Sequence, residues 1–379
     1  MALVLNEEQL MLKDAAAGFL QEKASVAALR ALRDSRDEAG YSKELWQEMA
    51  DMGWAGIAIP EAYGGLDYGY IGLGIVLEQM GRNLSVSPLQ SSVLVAATAI
   101  ALGGSEAQKQ ALLPAIASGE TIVTLALQEG PHHAPHKTAA TAIADGDGYV
   151  ISGRKVMVAD AHVADKLIVV ARTAGEPGDA EGLGLFLVDR EATGVSTERV
   201  IMVDSRNSGT VTLDSVQVSA DQVLGSLDTG SALLQQVLDI ANIGLSAELL
   251  GLCLESFERT MEYLKDRKQF GAAIGTFQGL QHRAAEMYAD LELAKSVVIR
   301  SLQAIDAGDD NLSLLASACK AKVSQVAARV SNEAIQMHGG IGMTDEFDIG
   351  FFIKRARVAQ QTFGDHSYHL DRYATLSAF

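Results

Sequence analysis

The chain has 379 residues and is 48% hydrophobic, which is enough for a large core and for about two or three domains. Lys and Arg number 30 against 48 Asp and Glu, a formal charge of -18. Such a surface repels phosphate backbones and argues against nucleic-acid binding, while leaving room for a small anionic ligand in a locally basic groove.

The first stretch, up to about residue 122, reads helical. Asn6 followed by Gln9 is a capping-box start, and an apolar pattern runs from Leu10 to Leu20. "SKELWQEMADMGW" (42–54) is a second helix, and "IAIPEAYGGLDYGY" (57–70) is a loop broken by Pro60, Gly64 and Gly65. Further helices are expected over 71–82, 88–103 and 105–117.

From about 123 to 228 the period changes. "GYVISGRKVMVA" (148–159), "KLIVVAR" (166–172), "GLFLVD" (184–189) and "TVTLDSVQV" (210–218) are short and rich in β-branched residues. Turns such as "DGDG" (145–148) separate them, the pattern of a small antiparallel barrel or sandwich. No helices alternate with these strands, so a doubly wound nucleotide-binding sheet is not expected.

Long helices return from about 229. Leu234, Val237, Leu238, Ala241 and Leu245 share one helical face. Leu280, Ala284, Met287, Leu291, Ala294 and Val298 form a narrow stripe, and Cys319, Val323, Val326, Val330, Ala334 and Met337 form another. Such stripes suit antiparallel helices in a four-helix bundle. "AIDAGDDN" (304–311) turns between them, and Gly339 and Gly340 end the second where left-handed backbone is needed. The expected class is therefore α+β, mostly α: a helical domain over 1–122, a central β-domain over 123–228 and a C-terminal helical bundle over 229–379.

Cys253 and Cys319 lie in apolar helical contexts and read as buried reduced thiols. No basic segment precedes an apolar one in the manner of a secretory signal, and no run of about 18 apolar residues appears. A cytoplasmic protein without a membrane span is the expectation.

Helical domain, small β-domain, helical bundle: this order resembles the acyl-CoA dehydrogenase family, and specific strings strengthen the likeness. "IPEAYGGLDYG" (59–69) resembles the family's N-domain loop. "DRKQFGAAIGTFQGLQHRAAEMYADLELAK" (266–295) resembles its Arg-x-x-Phe-Gly…Phe-Gln segment, and "QMHGGIGMTDEF" (336–347) its Gln-x-x-Gly-Gly-x-Gly segment. "FFIKRAR" (351–357) resembles the stretch just before the family's catalytic end. Read by themselves, these residues suit a dinucleotide. Arg267 is a fixed cation with fork geometry for a pyrophosphate, Phe270 a flat apolar face, and Gln278 and Gln336 neutral donors and acceptors. Gly339 and Gly340 let backbone approach a ligand. The resemblance implies FAD, with these C-domain residues holding its adenosine diphosphate end across a subunit interface and the flavin ring held mainly by a neighbouring subunit.

Three departures stand against the family pattern. The usual Thr-Glu-Pro-Gly-Ala-Gly-Ser-Asp string is here "LQEGPHHAPHKTAA" (127–140), where Glu129 and some Gly/Pro character remain. The usual Trp-Ile-Thr is Met157, Val158 and Ala159, which lack both the aromatic face and the hydroxyl donor. The third is the base. Removing a proton next to a thioester carbonyl needs a positioned carboxylate of tuned pKa, and the family's Tyr-Glu-Gly-Thr places Phe363 at the Glu. Some branches put the base on the first C-domain helix, which falls here at Ala241; Asp239 is close by but points elsewhere along the helix.

No catalytic residue is thereby assigned. Asp365, beside His366, is a candidate base, and it also stands where Asp caps a helix, directly before "HSYHLDRY". His132, His133 and His136 lack the accompanying ligands of a metal site, and no metal is expected. Glu248 sits mid-helix among apolar residues, as a buried acid or an interhelix partner.

Three readings follow. In the first, the chain is the degenerate subunit of a two-gene acyl-CoA dehydrogenase acting on bulky CoA thioesters such as sterol or bile-acid side chains. A homologous subunit would then carry the base, an electron-transfer flavoprotein or similar acceptor would take the electrons, and the assembly would be a tetramer. In the second it is a complete homotetramer with a displaced base. In the third it is a flavin-free binding or structural homologue.

Overall fold

The structure is a computed structural model and describes residues 3–379. The chain opens with α1 (Glu7–Lys23), α2 (Val26–Ser35) and α3 (Lys43–Asp51). α1 starts at the expected capping box: Gln9 N donates to Asn6 Oδ1 at 2.8 Å and Asn6 N donates to Gln9 Oε1 at 3.0 Å. α3 is capped by Ser42 and stops short of residue 54, with Gly53 in left-handed backbone beyond it. The 57–70 loop contains a single 3-10 turn, Glu61–Tyr63, and α4 (Gly69–Asn83) follows. The helix expected over 88–103 divides into a π-helical segment, Leu89–Ala97, and α5 (Thr98–Gly103). α6 (Glu106–Ala117) begins at a second capping box, Ser105 with Gln108.

The strands are β1 (Val123–Ala126), β2 (Thr141–Asp145), β3 (Gly148–Ala159), β4 (Lys166–Arg172), β5 (Leu183–Asp189), β6 (Val195–Ile201), β7 (Asn207–Ser219) and β8 (Val223–Leu224). They form one sheet ordered β6-β7-β3-β2-β4-β5-β8, with β1 parallel on β4. This corrects the expected antiparallel barrel or sandwich: the sheet is open, with β6 and β8 at its edges, and β4 pairs in parallel with both β1 and β2. The burial pattern gives the reason. β4 and β5 are buried along nearly their whole length, as strands covered on both faces are, whereas β6 alternates between half-buried and exposed and keeps a wet edge. A β8 of two residues offers too short an edge to close against.

The last third comprises α7 (Gly230–Asp266), a short hairpin of β9 (Lys268–Gln269) and β10 (Ala272–Ala273), then α8 (Gln278–Asp306), α9 (Leu312–His338), α10 (Ile349–Gln361) and α11 (His366–Leu376). The helical stretch 227–266 contains an 18-residue window of mean hydropathy 1.7, long and apolar enough to cross a membrane, although no 18 consecutive residues in it are apolar. Its apolar window is wholly buried, the state of a core helix. All six residues of the Cys319–Met337 stripe are buried, as are Met287, Leu291, Ala294 and Val298, while Leu280 and Ala284, nearer the start of α8, are half-buried.

By internal contacts the chain divides into two compact units. One comprises Met1–Asp34, Tyr70–Val86 and Asn242–Phe379; the other comprises Ser35–Gly69 and Ser87–Ala241. In the first, Lys13 of α1 pairs with Glu78 of α4 at 2.8 Å, and Ser85 donates to the Ala24 carbonyl at 2.9 Å. The interior of this unit holds a bidentate ion pair. Arg355 of α10 donates through Nε at 2.9 Å and Nη2 at 2.7 Å to Glu248 of α7, both side chains being buried. The open question over Glu248 is thus answered: it is an interhelix partner. Cys253 and Cys319 are buried thiols, and burial pushes both up, Cys319 to about 11. In the second unit, Trp46 Nε1 donates to the Gly119 carbonyl at 2.9 Å, and the core centres on Leu167–Ala171, Leu185 and Phe186.

Candidate functional site

One end of the helical unit gathers the residues expected to bind a dinucleotide. The turn Phe270–Gly271 joins β9 to β10 with φ of 54° and 81°, two successive left-handed residues as a two-residue type I′ hairpin requires. Phe270 is thus held in backbone that bulky residues avoid; the residue is 94% exposed, and its ring meets Phe277 edge-on at 6.2 Å between centroids. Gln278 is the first residue of α8, preceded at the N-cap by Phe277, which supplies no side-chain cap. α9 ends at Gly339, whose φ of 63° and ψ of -140° belong to glycine. A Cβ placed on Gly339 or Gly340 would meet nothing within 4 Å, so open space and not crowding surrounds them.

Aromatic contacts and an ion pair bring these termini together. Tyr263, near the end of α7, stacks on His338 at 4.4 Å, and Phe347 closes on His338 at 5.0 Å. His338 Nδ1 donates to the Ala334 carbonyl at 2.7 Å, and burial pulls its pKa down against that bond. Arg283 of α8 pairs with Glu333 of α9. Arg267, Gln278, Gln336, Gly339 and Gly340 are all exposed, and no ion pair of Arg267 exists among the described residues. An unpaired guanidinium near an uncapped helix start can hold a pyrophosphate, with neutral Gln side chains for a nucleoside and a flat Phe face beside them. The adenosine diphosphate end of FAD fits these residues.

The loop 127–140 of the other unit is built differently. Glu129 accepts from the N–H groups of Ala139 at 2.7 Å and Ala140 at 3.0 Å and from Lys155 Nζ at 2.6 Å. Lys155 is fully buried on β3, and burial pushes its ammonium down to about 8 against the pull of Glu129. Arg172 donates to the carbonyls of Thr138 at 3.0 Å and His136 at 2.7 Å. Val156 N donates to the Gln128 carbonyl at 2.7 Å. The loop is therefore stitched to its own strand. Met157 stands at a break in the β3–β7 register, with φ of 52° and a side chain that is 50% exposed. An exposed thioether with no hydroxyl or aromatic partner beside it in sequence is a poor platform for a flavin ring. Among the described residues no group of three or more His, Cys, Asp and Glu is placed to hold a metal.

The turn between α10 and α11 carries Phe363, again left-handed with φ of 57°. Asp365 caps α11, its Oδ1 accepting from Tyr368 N at 2.8 Å. Of the two roles open to it in the sequence, the geometry shows the cap. Asp239 and Ala241 are both buried on α7, and Gln235 donates to Asp239 at 3.3 Å.

Comparison with known proteins accounts for this arrangement. Family models match in three consecutive pieces: the acyl-CoA dehydrogenase N-terminal domain over residues 6–120, the middle domain over 127–216 and the C-terminal domain over 228–375. The chain belongs to the acyl-CoA dehydrogenase family. Acyl-CoA dehydrogenase FadE12 of Mycobacterium tuberculosis is 30% identical, with 95% of this chain and 93% of the relative covered. A 3-(aryl)acrylate reductase of Clostridium sporogenes is 29% identical over 94% of each chain. A solved structure, a variant of the Tcur3481-Tcur3483 steroid ACAD, is 33% identical with a TM-score of 0.89 over 98% of both chains. Acyl-CoA dehydrogenases bind FAD and oxidise a CH–CH bond of an acyl-CoA, so the chain is an oxidoreductase of that class or a subunit of one.

Sequence reasoning missed the side chains that hold these segments in place. Lys155, Arg172 and Lys320 are all buried. Lys320 could have been found, since it falls inside an apolar helical stripe where a solvated lysine has no place. Lys155 follows Arg154 in a strand, and nothing local shows which of the two points inward.

Proposed function

We propose that this chain is the subunit of a heteromeric acyl-CoA dehydrogenase that does not carry the base, acting with a homologous subunit on a bulky CoA thioester such as a sterol or bile-acid side chain. A contrast within the chain supports the reading. The residues read as suiting the adenosine diphosphate of FAD are exposed, while Asp365 is engaged as a cap and Phe363 stands where the resemblance would put the family's carboxylate. Arg267 would hold the pyrophosphate, Gln278 and Gln336 the nucleoside, Phe270 would cover an apolar face, and the backbone at Gly339 and Gly340 would come close. FAD, when bound, accepts the hydride from the substrate's β-carbon. The α-proton goes to a carboxylate of the partner subunit, since no residue of this chain is assigned to take it.

In this reading FAD is shared across the subunit interface, and the ring contacts absent at Met157, Val158 and Ala159 come from the homologous subunit. The assembly is a cytoplasmic tetramer of three-domain chains, divided near 122 and 228, and passes its electrons to an electron-transfer flavoprotein or similar acceptor. Likeness to a steroid acyl-CoA dehydrogenase supports the choice of substrate class.

Purification of the chain alone, and together with a homologous subunit bearing the carboxylate, tests the proposal. Stoichiometric FAD and acyl-CoA-dependent dye reduction are expected only from the joint assembly. Both activities in the chain alone would overturn it.

A further inference from the structure

Tyr263, His338 and Phe347 form a cluster of three rings drawn from three segments of the helical unit. His338 is buried and touches both others, Tyr263 at 4.4 Å and Phe347 at 5.0 Å, while Tyr263 meets Phe347 edge-on at 6.1 Å. The bond from its Nδ1 to the Ala334 carbonyl orients the imidazole, and its Nε2 is buried without a hydrogen-bond partner among the described residues. The imidazole therefore gives the cluster its faces and not a second hydrogen bond. Two of the rings adjoin residues read as suiting the dinucleotide. Tyr263 stands one helical turn before Arg267, whose N–H donates to the Tyr263 carbonyl at 2.9 Å, and Ile274 N donates to the Arg267 carbonyl at 2.8 Å. His338 stands two residues after Gln336 and directly before Gly339.

The third ring, Phe347, comes from the turn between the 3-10 segment Gly339–Met343 and α10, and arginines of α2 hold that turn on both sides of it. Arg33 makes a bidentate pair with Asp345 at 2.6 and 2.8 Å. Arg30 donates to the Asp345 carbonyl at 2.7 Å and to Asp348 at 3.0 Å. Both guanidinium groups lie over the Phe351 ring, at 4.7 and 5.0 Å. A bidentate pair fixes direction as well as distance, so Phe347 is pressed on His338 by backbone that is itself anchored.

We propose that the Tyr263–His338–Phe347 cluster, latched by Arg30 and Arg33, is a positioning element: it sets Arg267 at the end of α7 against the glycine turn at the end of α9, so that guanidinium and backbone meet one pyrophosphate. The cofactor part of this inference rests on the proposed function; the placement of Arg267 does not. Helix ends fray, and Arg267 lies just beyond the last residue of α7. A long exposed side chain that grips a ligand loses conformational freedom on binding, and backbone fixed beforehand removes part of that cost. The ring cluster supplies the fixing. Without the Phe347 ring, Tyr263 and His338 lose the contact they share, and the last turn of α7 is freer to move.

The test compares Phe347→Leu, which keeps apolar volume and removes the ring, with Phe347→Tyr, which keeps the ring. Hydrogen exchange of the full chain alone reads the placement of Arg267 without cofactor. In Phe347→Leu the amides of residues 264–276 should exchange about threefold faster or more, with the buried amides of α7 unchanged, and Phe347→Tyr should hold the parent rate. Flavin titration of the joint assembly reads what the placement is for. Phe347→Leu should weaken FAD binding by about fivefold, the scale of one aromatic pair. In an Arg267→Ala background the same change should cost less than about twofold, because the cluster then has no arginine to place. Unchanged exchange over 264–276 overturns the proposal whether or not FAD binds. Equal losses of affinity in the two backgrounds, or no recovery in Phe347→Tyr, overturn it too, since the rings would then be packing alone. Faster exchange in Phe347→Leu, with no FAD retained by the parent assembly, sinks the proposed function and supports the placement of Arg267.

Discussion

The open end of the helical unit and the 127–140 loop of the sheet unit, both read from the resemblance as cofactor or substrate segments, use their polar groups in opposite ways. At the helical end Arg267, Gln278 and Gln336 face solvent, and α8 begins without a side-chain cap. In the loop Glu129 has three donors, and Arg172 reaches the carbonyls of His136, Thr138, Ala174, Asp179 and Glu181. Exposed donors are met by water and remain free to exchange it for a ligand. A loop whose donors and acceptors are matched internally keeps its shape with nothing bound. Under the proposed function, the first region would serve a ligand and a neighbour, and the second would serve as scaffold.

The sharpest break in that comparison is Glu129→Gln, which leaves the buried Lys155 without its counter-charge. Removing one member of a buried pair typically costs 3–5 kcal/mol, and the partial exposure of Glu129 reduces this to about 3 kcal/mol, read by chemical denaturation. The pH dependence has a definite sign. Lys155 is already held down to about 8 in the folded chain against an ordinary lysine value of 10.5, and losing Glu129 lowers it further. The unfolded chain then binds more protons than the folded one between those values, so stability rises with pH and the cost of the substitution shrinks as the medium becomes alkaline. FAD content of the joint assembly should not change. Loss of FAD with unchanged stability would mean that the loop is still a binding element.

The sequence made the fold legible where periodicity was strong. β3 and β4 fall where expected, and the α1 capping box and the α9 stripe are found as read. What escaped were elements whose signal lies elsewhere in the chain. β1 is four buried residues defined only by its parallel pairing with β4, and β8 is two residues. The open sheet depends on which edges pair, which alternation along one strand does not encode. At the candidate site, Arg267, Gly339 and Gly340 were picked out by strings that resemble the family's, since a single arginine at a charged helix end or a glycine pair after a helix has an ordinary local reading. Lys155 and Arg172 were hidden because a lysine or arginine in a strand reads as surface until its partners, tens of residues away, are known, whereas the apolar stripe around Lys320 marked it as misplaced.

A smaller effect is expected at the open end. Arg267→Ala removes an exposed cation that makes no ion pair among the described residues, so stability should stay within about 0.5 kcal/mol of the parent. Affinity of the assembly for FAD should fall by about 30-fold, on the order of 2 kcal/mol for a charge-assisted bond to phosphate, read by flavin titration. A drop in stability with FAD retained would make this end a structural feature and remove the contrast with the loop.

The smallest effect discriminates most finely. Phe270 keeps a φ of 54° while the residue is 94% exposed, so the isolated chain bears a conformational cost and gains little burial from the ring. Asn tolerates the left-handed region and is favoured in a type I′ turn. Phe270→Asn should therefore stabilise the isolated chain by about 0.5–1 kcal/mol while weakening FAD retention in the joint assembly. The two readouts move in opposite directions only if the ring is kept for something outside the chain. Should the substitution destabilise the isolated chain, the contact between Phe270 and Phe277 is internal packing, and the open end is less open than its exposure indicates.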